Sequence, residues 1–313
     1  MRGVGVIEFG GPEALQVVDL PEVHAGPGEL RIRVHAATVN PTDTYVRNGA
    51  RAEALRKDPP PYIPGMDAAG VIDEIGDDAT TGLIVGDAVM AMVIPTASHG
   101  AYRQSIVLTA DSVSRAPAGA THAEASTLSM NGLTARQSLD QLALQPGQTV
   151  AVTGAAGCYG GYVVQLAKAD GLRVIADASS ADEQLVHDLG ADIVVPRGDD
   201  IAEQIRKVVL NGVDGLADGA VQNELAVGAI RDGGGFASVR GWGGNAERRI
   251  AFHVTMVRDY DHRVDLLDQL RQQTEDGVIT LRVAATYPPD QAADAHSRLE
   301  AGGTRGRCVI VFD

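Results

Sequence analysis

The sequence predicts an α/β protein in which a β-rich domain is interrupted by a doubly wound parallel sheet. Three observations carry that expectation. In the first third, RGVGVIEF, ELRIRVHAATV, AAGVIDEIG and GDAVMAMVI alternate or run apolar between Gly, Pro and Asp, as short strands with irregular connections do. From about Ala118, apolar runs alternate with helical patterns, the order of a parallel sheet with crossover helices. Near residue 256 the pattern changes again, and the chain closes on RCVIVF. The expected layout places 1–118 and 256–313 in the β-rich domain and 119–255 in the parallel one.

Each element has a local reason. In PTDTYVRNGARAEALRKD, Asn40, Pro41 and Asp43 offer a helix N-cap, a first-turn proline and an acid near the positive helix end. DPPPYIPG, residues 58–65, predicts a stiff extended loop, because proline lacks an amide hydrogen and fixes its own backbone. VAV, VIA and IVV in the middle region are apolar throughout, as strands covered on both faces must be. ELAVGAIRDG reads as helix and GFASVR as strand. In the tail, DHRVDLLDQLRQQTEDG and DQAADAHSRLEAG predict helices, and ITLRVAATY and RCVIVF predict strands.

Composition narrows the partners. With 313 residues the chain is long enough for two domains, and with only 4% aromatics its cores are expected to be built from Val, Leu, Ile and Ala. A net charge of −15 repels nucleic acid and anionic lipid, so neither is an expected partner. Two cysteines, Cys158 and Cys308, make no disulfide framework and are expected to be reduced. No run approaches about 18 uninterrupted apolar residues, and MRGVGVIEFGGPEALQ lacks a signal peptide's apolar core. The expectation is a soluble, cytoplasmic protein.

The chemistry gathers at TVAVTGAAGCYGGYVVQLAK. A strand, Thr149–Thr153, meets a helix expected from Gly160 across Gly154-Ala155-Ala156-Gly157-Cys158-Tyr159-Gly160. The three glycines serve a tight turn, close approach of a pyrophosphate to the backbone, and close packing of helix on strand. The helix start adds the positive end of its dipole. This is a dinucleotide-binding pattern, close to the common fingerprint without being identical to it. The next strand, RVIADASS, is expected to end near the adenosine ribose. Asp177 there would accept from ribose hydroxyls and select NADH, whereas Ser179 and Ser180 could hold a 2′-phosphate. Both readings stay open, and Asp177 could also be a plain turn residue.

Seven stretches in order, NPTDTYVRNG, PGMDAAGVI, GLIVGDAV, HGAYRQ, LSMNGLTA, VTGAAGCYG and RGRCVIVF, resemble the medium-chain dehydrogenase/reductase superfamily in its zinc-independent quinone oxidoreductase branch. The resemblance covers nearly the whole length. It implies a GroES-like β domain, an inserted Rossmann domain, a cleft between them for NADPH, and a homodimer. It also implies that Asn40 faces the nicotinamide, Tyr45 lies beside the substrate, Asn131 and Thr134 border the nicotinamide and its ribose, Gly241 and Trp242 flank the ring, and Arg307 contacts the cofactor. NADPH-dependent relatives often carry Lys or Arg after the small residues; here Asp182 and Glu183 follow, which leaves NADH possible.

Zinc-dependent relatives place Cys at the position of Asn40 and His-Glu at Met66-Asp67, and nothing between 80 and 115 is a cysteine. Zinc needs thiolate, imidazole or carboxylate at tetrahedral spacing, so no metal is expected. The resemblance then implies hydride delivery to an acceptor already activated by conjugation, a quinone or an enone. Tyr45 or water would supply the proton. Two rivals remain: an enoyl-thioester reductase on the same scaffold, and a nucleotide-binding sensor without turnover.

Overall fold

The computed structural model describes residues 1–312. Two units emerge. The first comprises Met1–Met130, Tyr260–Glu275 and the described chain from Leu281, and the second Asn131–Asp259 and Asp276–Thr280.

The first unit opens with β1 (Arg2–Val6), β2 (Leu15–Asp19), β3 (Glu29–Thr38), α1 (Asp43–Arg47), α2 (Ala52–Leu55), β4 (Asp67–Ile75), β5 (Ala88–Met92), β6 (Ser105–Thr109), β7 (Val113–Arg115) and α3 (His122–Ala125). Next come α4 (Ser129–Leu142), β8 (Thr149–Thr153), α5 (Cys158–Ala169), β9 (Arg173–Ala178), α6 (Glu183–Asp188), β10 (Ile193–Pro196), α7 (Ile201–Val208), β11 (Val213–Asp218), α8 (Glu224–Val227), β12 (Ile230–Ser238) and β13 (Ala251–Val254). The tail contributes α9 (Val264–Glu275), β14 (Val283–Tyr287), α10 (Ala292–Glu300) and β15 (Arg307–Val311).

In the first unit a seven-stranded sheet runs β14-β15-β3-β4-β5-β7, with β6 also on β3. The last strand joins the first third directly, since β15 pairs antiparallel with β3 through Val309 and Thr38. Leu30, Ile32 and Val34 alternate inward along β3, the period-two pattern expected of a half-buried strand. They pack with Ile72, Val89, Ile106, Tyr102 and Ile310.

The second unit holds a fully parallel six-stranded sheet, β10-β9-β8-β11-β12-β13. Every residue of β8 is buried, as are Val174, Ile175 and Ala176 of β9, because helices cover both faces. Phe236 sits at the centre of this core, 5.0 Å from the Trp242 ring and 5.8 Å from the Phe252 ring.

Local boundaries differ from the pattern in three places. Helix α1 begins at Asp43, and Asn40–Thr42 form a turn, because the Asn40 amide nitrogen and side chain are held by other partners. Helix α5 begins at Cys158, with Gly157 as its N-cap, so the helix starts inside the glycine cluster. ELAVGAIRDG is helical only through Val227; Ile230 opens β12, because a bulge in β11 brings Val213 level with Ile230. Short strands β2, β6, β7 and β13 carry too few alternating residues to stand out in sequence. Among the described residues, no helix is long and apolar enough to cross a membrane.

Phe236→Ala would leave a large apolar void that the packed strands cannot close. A loss of about 3–5 kcal/mol is expected. Urea unfolding followed by the fluorescence of Trp242, the chain's one tryptophan, reads it directly.

Candidate functional site

The turn after β8 is built by backbone contact. Gly154 takes a φ of +68°, and a Cβ there would lie 2.9 Å from the Gly219 carbonyl carbon. At Gly160 a Cβ would lie 2.3 Å from the Gly154 carbonyl oxygen, a backbone atom with nowhere to go. Gly157 is less constrained, at 3.1 Å from the same oxygen. The first turn of α5 can therefore press against the end of β8. This leaves a cradle of small residues, Gly154–Gly157, at the positive end of a 12-residue helix. The fit to a diphosphate is good: no bulky side chain lies in that segment, and the helix field favours an anion.

Asp177 holds this turn from beneath. It is 1% exposed, and its Oδ1 accepts the Ala155 amide hydrogen at 3.2 Å. Its Oδ2 accepts from Arg197 Nε at 3.1 Å. Arg197 follows β10, which pairs parallel with β9, so its side chain arrives at the end of the sheet where Asp177 stands. The Arg197 side chain is 37% exposed, and its other guanidinium nitrogens have no hydrogen-bond partner among the described residues. Nearby, Ser179 Oγ donates to Asp182 Oδ2 at 2.5 Å, and Ser180 is exposed.

Asp218 closes the neighbouring loop. It accepts from Thr153 Oγ1 and from the amides of Gln222 and Asn223. Tyr159 is buried, with its hydroxyl 2.8 Å from Ser138 Oγ; burial pushes that phenol well up from its usual range. Tyr159 therefore points into the helix layer and does not fill the glycine turn. Asn131 and Thr134 are buried on α4, and Thr134 also accepts from Ser138 Oγ through its carbonyl. Cys158 is buried in the first turn of α5. Gly241 sits in the loop after β12 at φ +88°. Trp242 packs edge-on against Phe236 and Phe252, and its indole N–H donates to Glu224 at 2.8 Å.

A second cluster lies in the first unit. Asn40 is held at two points by two buried carboxylates. Its amide nitrogen donates to Asp43 Oδ2 at 2.7 Å, and its side-chain Nδ2 donates to Asp67 Oδ2 at 2.7 Å. Asp43 also accepts from the Gly65 amide at 2.9 Å and from the Tyr102 hydroxyl at 3.2 Å. Asp67 also accepts from the Met130 amide at 2.6 Å. Burial dominates both acids, pushing Asp43 up to about 6 and Asp67 up to about 7. Arg307, buried at the start of β15, pulls both back down in part.

Proton positions follow from this network. Tyr102 gives its single hydrogen to Asp43, so it must accept from His296 Nε2, 3.1 Å away. That leaves His296 Nδ1 as an acceptor facing Arg47 Nη1 at 3.5 Å. Burial, with the Arg47 charge, pushes His296 down to about 3, so the ring stays neutral. Arg47 in turn pairs with Glu300. Tyr45 stands apart on α1: it is half-buried, and its hydroxyl has no hydrogen-bond partner among the described residues.

The structure thus gathers Gly154–Gly160 and Asp177 in one unit, and Asn40, Tyr45 and Arg307 in the other. Asp67 and Arg197 were given no role of their own in the sequence, and Asp43 only that of an acid at a helix start. Asp67 carried a signal, since it stands in the stretch PGMDAAGVI as an acid opening an otherwise apolar strand. Arg197 carried none, because its partner lies twenty positions earlier on another strand. Among the described residues, no group of three or more His, Cys, Asp or Glu side chains is placed to hold a metal ion.

Comparison with known proteins gives a consistent picture. Residues 26–171 match the model for an alcohol dehydrogenase GroES-like domain, and residues 189–310 match a model described as zinc-binding dehydrogenase. The chain is 30% identical to a quinone oxidoreductase of Mus musculus, over all of this chain and 98% of that protein. Among solved structures, the quinone oxidoreductase from Coxiella burnetii aligns with a TM-score of 0.87 at 25% identity, over 100% of this chain and 99% of that one. A structure described as an NAD-dependent alcohol dehydrogenase aligns equally well, with a TM-score of 0.87 and 28% identity over the whole of both chains.

Two outcomes are expected from these geometries. Gly160→Ala should cost about 1–3 kcal/mol, because backbone must shift to admit the methyl group, and Gly157→Ala should cost less; urea titration ranks them. The second concerns pH. Asp43 and Asp67 have folded pKa values above the ordinary 3.8, so the stability they contribute is present below about pH 4 and lost as pH rises through about 6 and 7. Asp67→Asn, which cannot titrate, should therefore show a smaller decline in Tm between pH 5 and pH 8 than the parent chain.

Proposed function

The chain is a member of the medium-chain dehydrogenase/reductase superfamily, in its quinone oxidoreductase branch, and from that membership we propose an NAD(P)H-dependent oxidoreductase that reduces a quinone or another conjugated carbonyl without zinc. The glycine turn carries the reading. A cradle without side-chain bulk, at the start of α5 and the end of a parallel strand, is the arrangement that holds a diphosphate. Gly154, Ala155, Ala156 and Gly157 would hold that group. When bound, the coenzyme supplies the hydride, which is the difficult part of the reaction.

The protein's own residues would do the rest. Asp177 sets the turn by taking the Ala155 amide. Arg197 neutralises Asp177 and keeps its outer nitrogens available, which favours a 2′-phosphate and so NADPH over NADH. Asn40 is a rigid polar group, since both its amide nitrogen and its side chain are anchored. The hydroxyl of Tyr45 has no competing partner among the described residues, and it is the group we assign to proton delivery. A conjugated acceptor suits such a site, because it accepts hydride without a Lewis acid to polarise it. The name carried by the mouse and Coxiella relatives supports a quinone as the acceptor class.

Parallel titrations with NADPH and NADH test the coenzyme assignment. Arg197→Ala should raise KM for NADPH about tenfold or more while leaving NADH within about twofold, since one charged hydrogen-bonding partner of a phosphate is worth about 1.5–3 kcal/mol. An unchanged ratio would remove Arg197 from the assignment. Oxidation of NADPH at 340 nm against quinones, short enones and a crotonyl thioester then sorts the acceptor class.

A further inference from the structure

We propose that Asp67 is a positioning residue whose protonation state decides which end of the Asn40 carboxamide is turned away from it, and that this sets the pH profile of hydride transfer. The proposal rests on the reading of Asn40 as a residue of the reaction site.

The geometry allows two arrangements. An ionised carboxylate only accepts hydrogen bonds. Asp67 Oδ1 is taken by the Met130 amide, a fixed backbone donor at 2.6 Å. Asp67 Oδ2 faces Asn40, so the Asn40 NH2 must point at it, and Asn40 Oδ1 must point elsewhere. A proton arriving on Asp67 has one place to go. Oδ1 already faces an N–H, so the proton sits on Oδ2, which becomes a donor toward Asn40. The amide must then rotate by half a turn and present Oδ1. Oxygen and NH2 are close in size, so the rotated carboxamide occupies the same volume. The Asn40 backbone stays in place, because Asp43 holds its amide nitrogen.

The surroundings make Asp67 the group that responds. The charged or titratable groups bearing on it are Asp43, Arg307 and Tyr102. Asp43 raises its proton affinity and Arg307 lowers it. Tyr102 keeps its proton, since burial and Asp43 push its phenol far above the usual range. Asp43 accepts three hydrogen bonds to Asp67's two, so of the two acids Asp67 takes up a proton more readily. Burial brings that event near pH 7.

Asp67→Asn imitates the protonated state. Its Oδ1 must serve the Met130 amide, so its NH2 faces Asn40 and locks the rotated arrangement at every pH. The test combines two readouts on the full-length chain. The first is the side-chain amide resonance of Asn40 in asparagine-labelled protein, identified by its loss in Asn40→Ala. It should move with pH around 7 in the parent and stay fixed in Asp67→Asn. The second is the pH profile of kcat/KM for NADPH with a quinone acceptor. The limb near pH 7 should vanish in Asp67→Asn, whose flat profile should sit at the level the parent reaches at low pH. A stationary Asn40 resonance in the parent overturns the proposal, as does a moving resonance with a parental profile retained in Asp67→Asn. If no acceptor is reduced by any variant, the reductase reading fails, and the resonance alone decides whether Asp67 turns Asn40.

Discussion

How closely two backbone segments can approach at the end of β8 controls what the second unit can hold. The first turn of α5 lies against the Gly154 carbonyl, where a single methyl group at Gly160 would stand at 2.3 Å. Because the contact is backbone on backbone, no side chain can relax to make room. That closeness brings the start of the helix to the end of the strand and concentrates its field there. Asp177 then captures the Ala155 amide from below, and its own charge is met by Arg197. The acid at the strand tip thus supports the turn from a buried position.

The first unit solves a different problem. It buries two carboxylates and a histidine in one network, and burying charge is costly unless each group finds partners. Asp43 finds three donors and Asp67 two, while His296 remains neutral between Tyr102 and Arg47. The cluster spans α1, β4, the loop at Gly65, the start of α4, and α10. It ties the carboxamide of Asn40 to parts of the chain far apart in sequence. Anchoring of that kind is what a positioned polar group needs, because the contacts fix where the Asn40 carboxamide sits.

Much of this was legible beforehand. The strand–glycine–helix break at 149–160 is a local pattern, and local backbone geometry follows from local residue types. The glycines could be given roles because glycine adopts a φ of +68° without steric cost and is the only residue that leaves a contact of this kind free of a Cβ. The alternating β3 and the continuous apolar centre of β8 were legible for the same reason, since burial on one face or two leaves a different periodicity. The start of α1 was less so. Asn40, Pro41 and Asp43 make a good helix start by composition, yet partners from β4 and the Gly65 loop claim the Asn40 side chain and the Asp43 carboxyl.

The sequence by itself determined the order of elements, the parallel sheet, the glycine turn and the family, because these depend on neighbours along the chain or on motifs that keep their spacing. Only the tertiary structure decided what the ionisable groups do. Asp177 and Arg197 meet across two strands, Asn40 and Asp67 across twenty-seven residues, and Tyr102 and His296 across nearly two hundred. Electrostatic interaction depends on distance and burial in space, and neither is written in the interval between two letters.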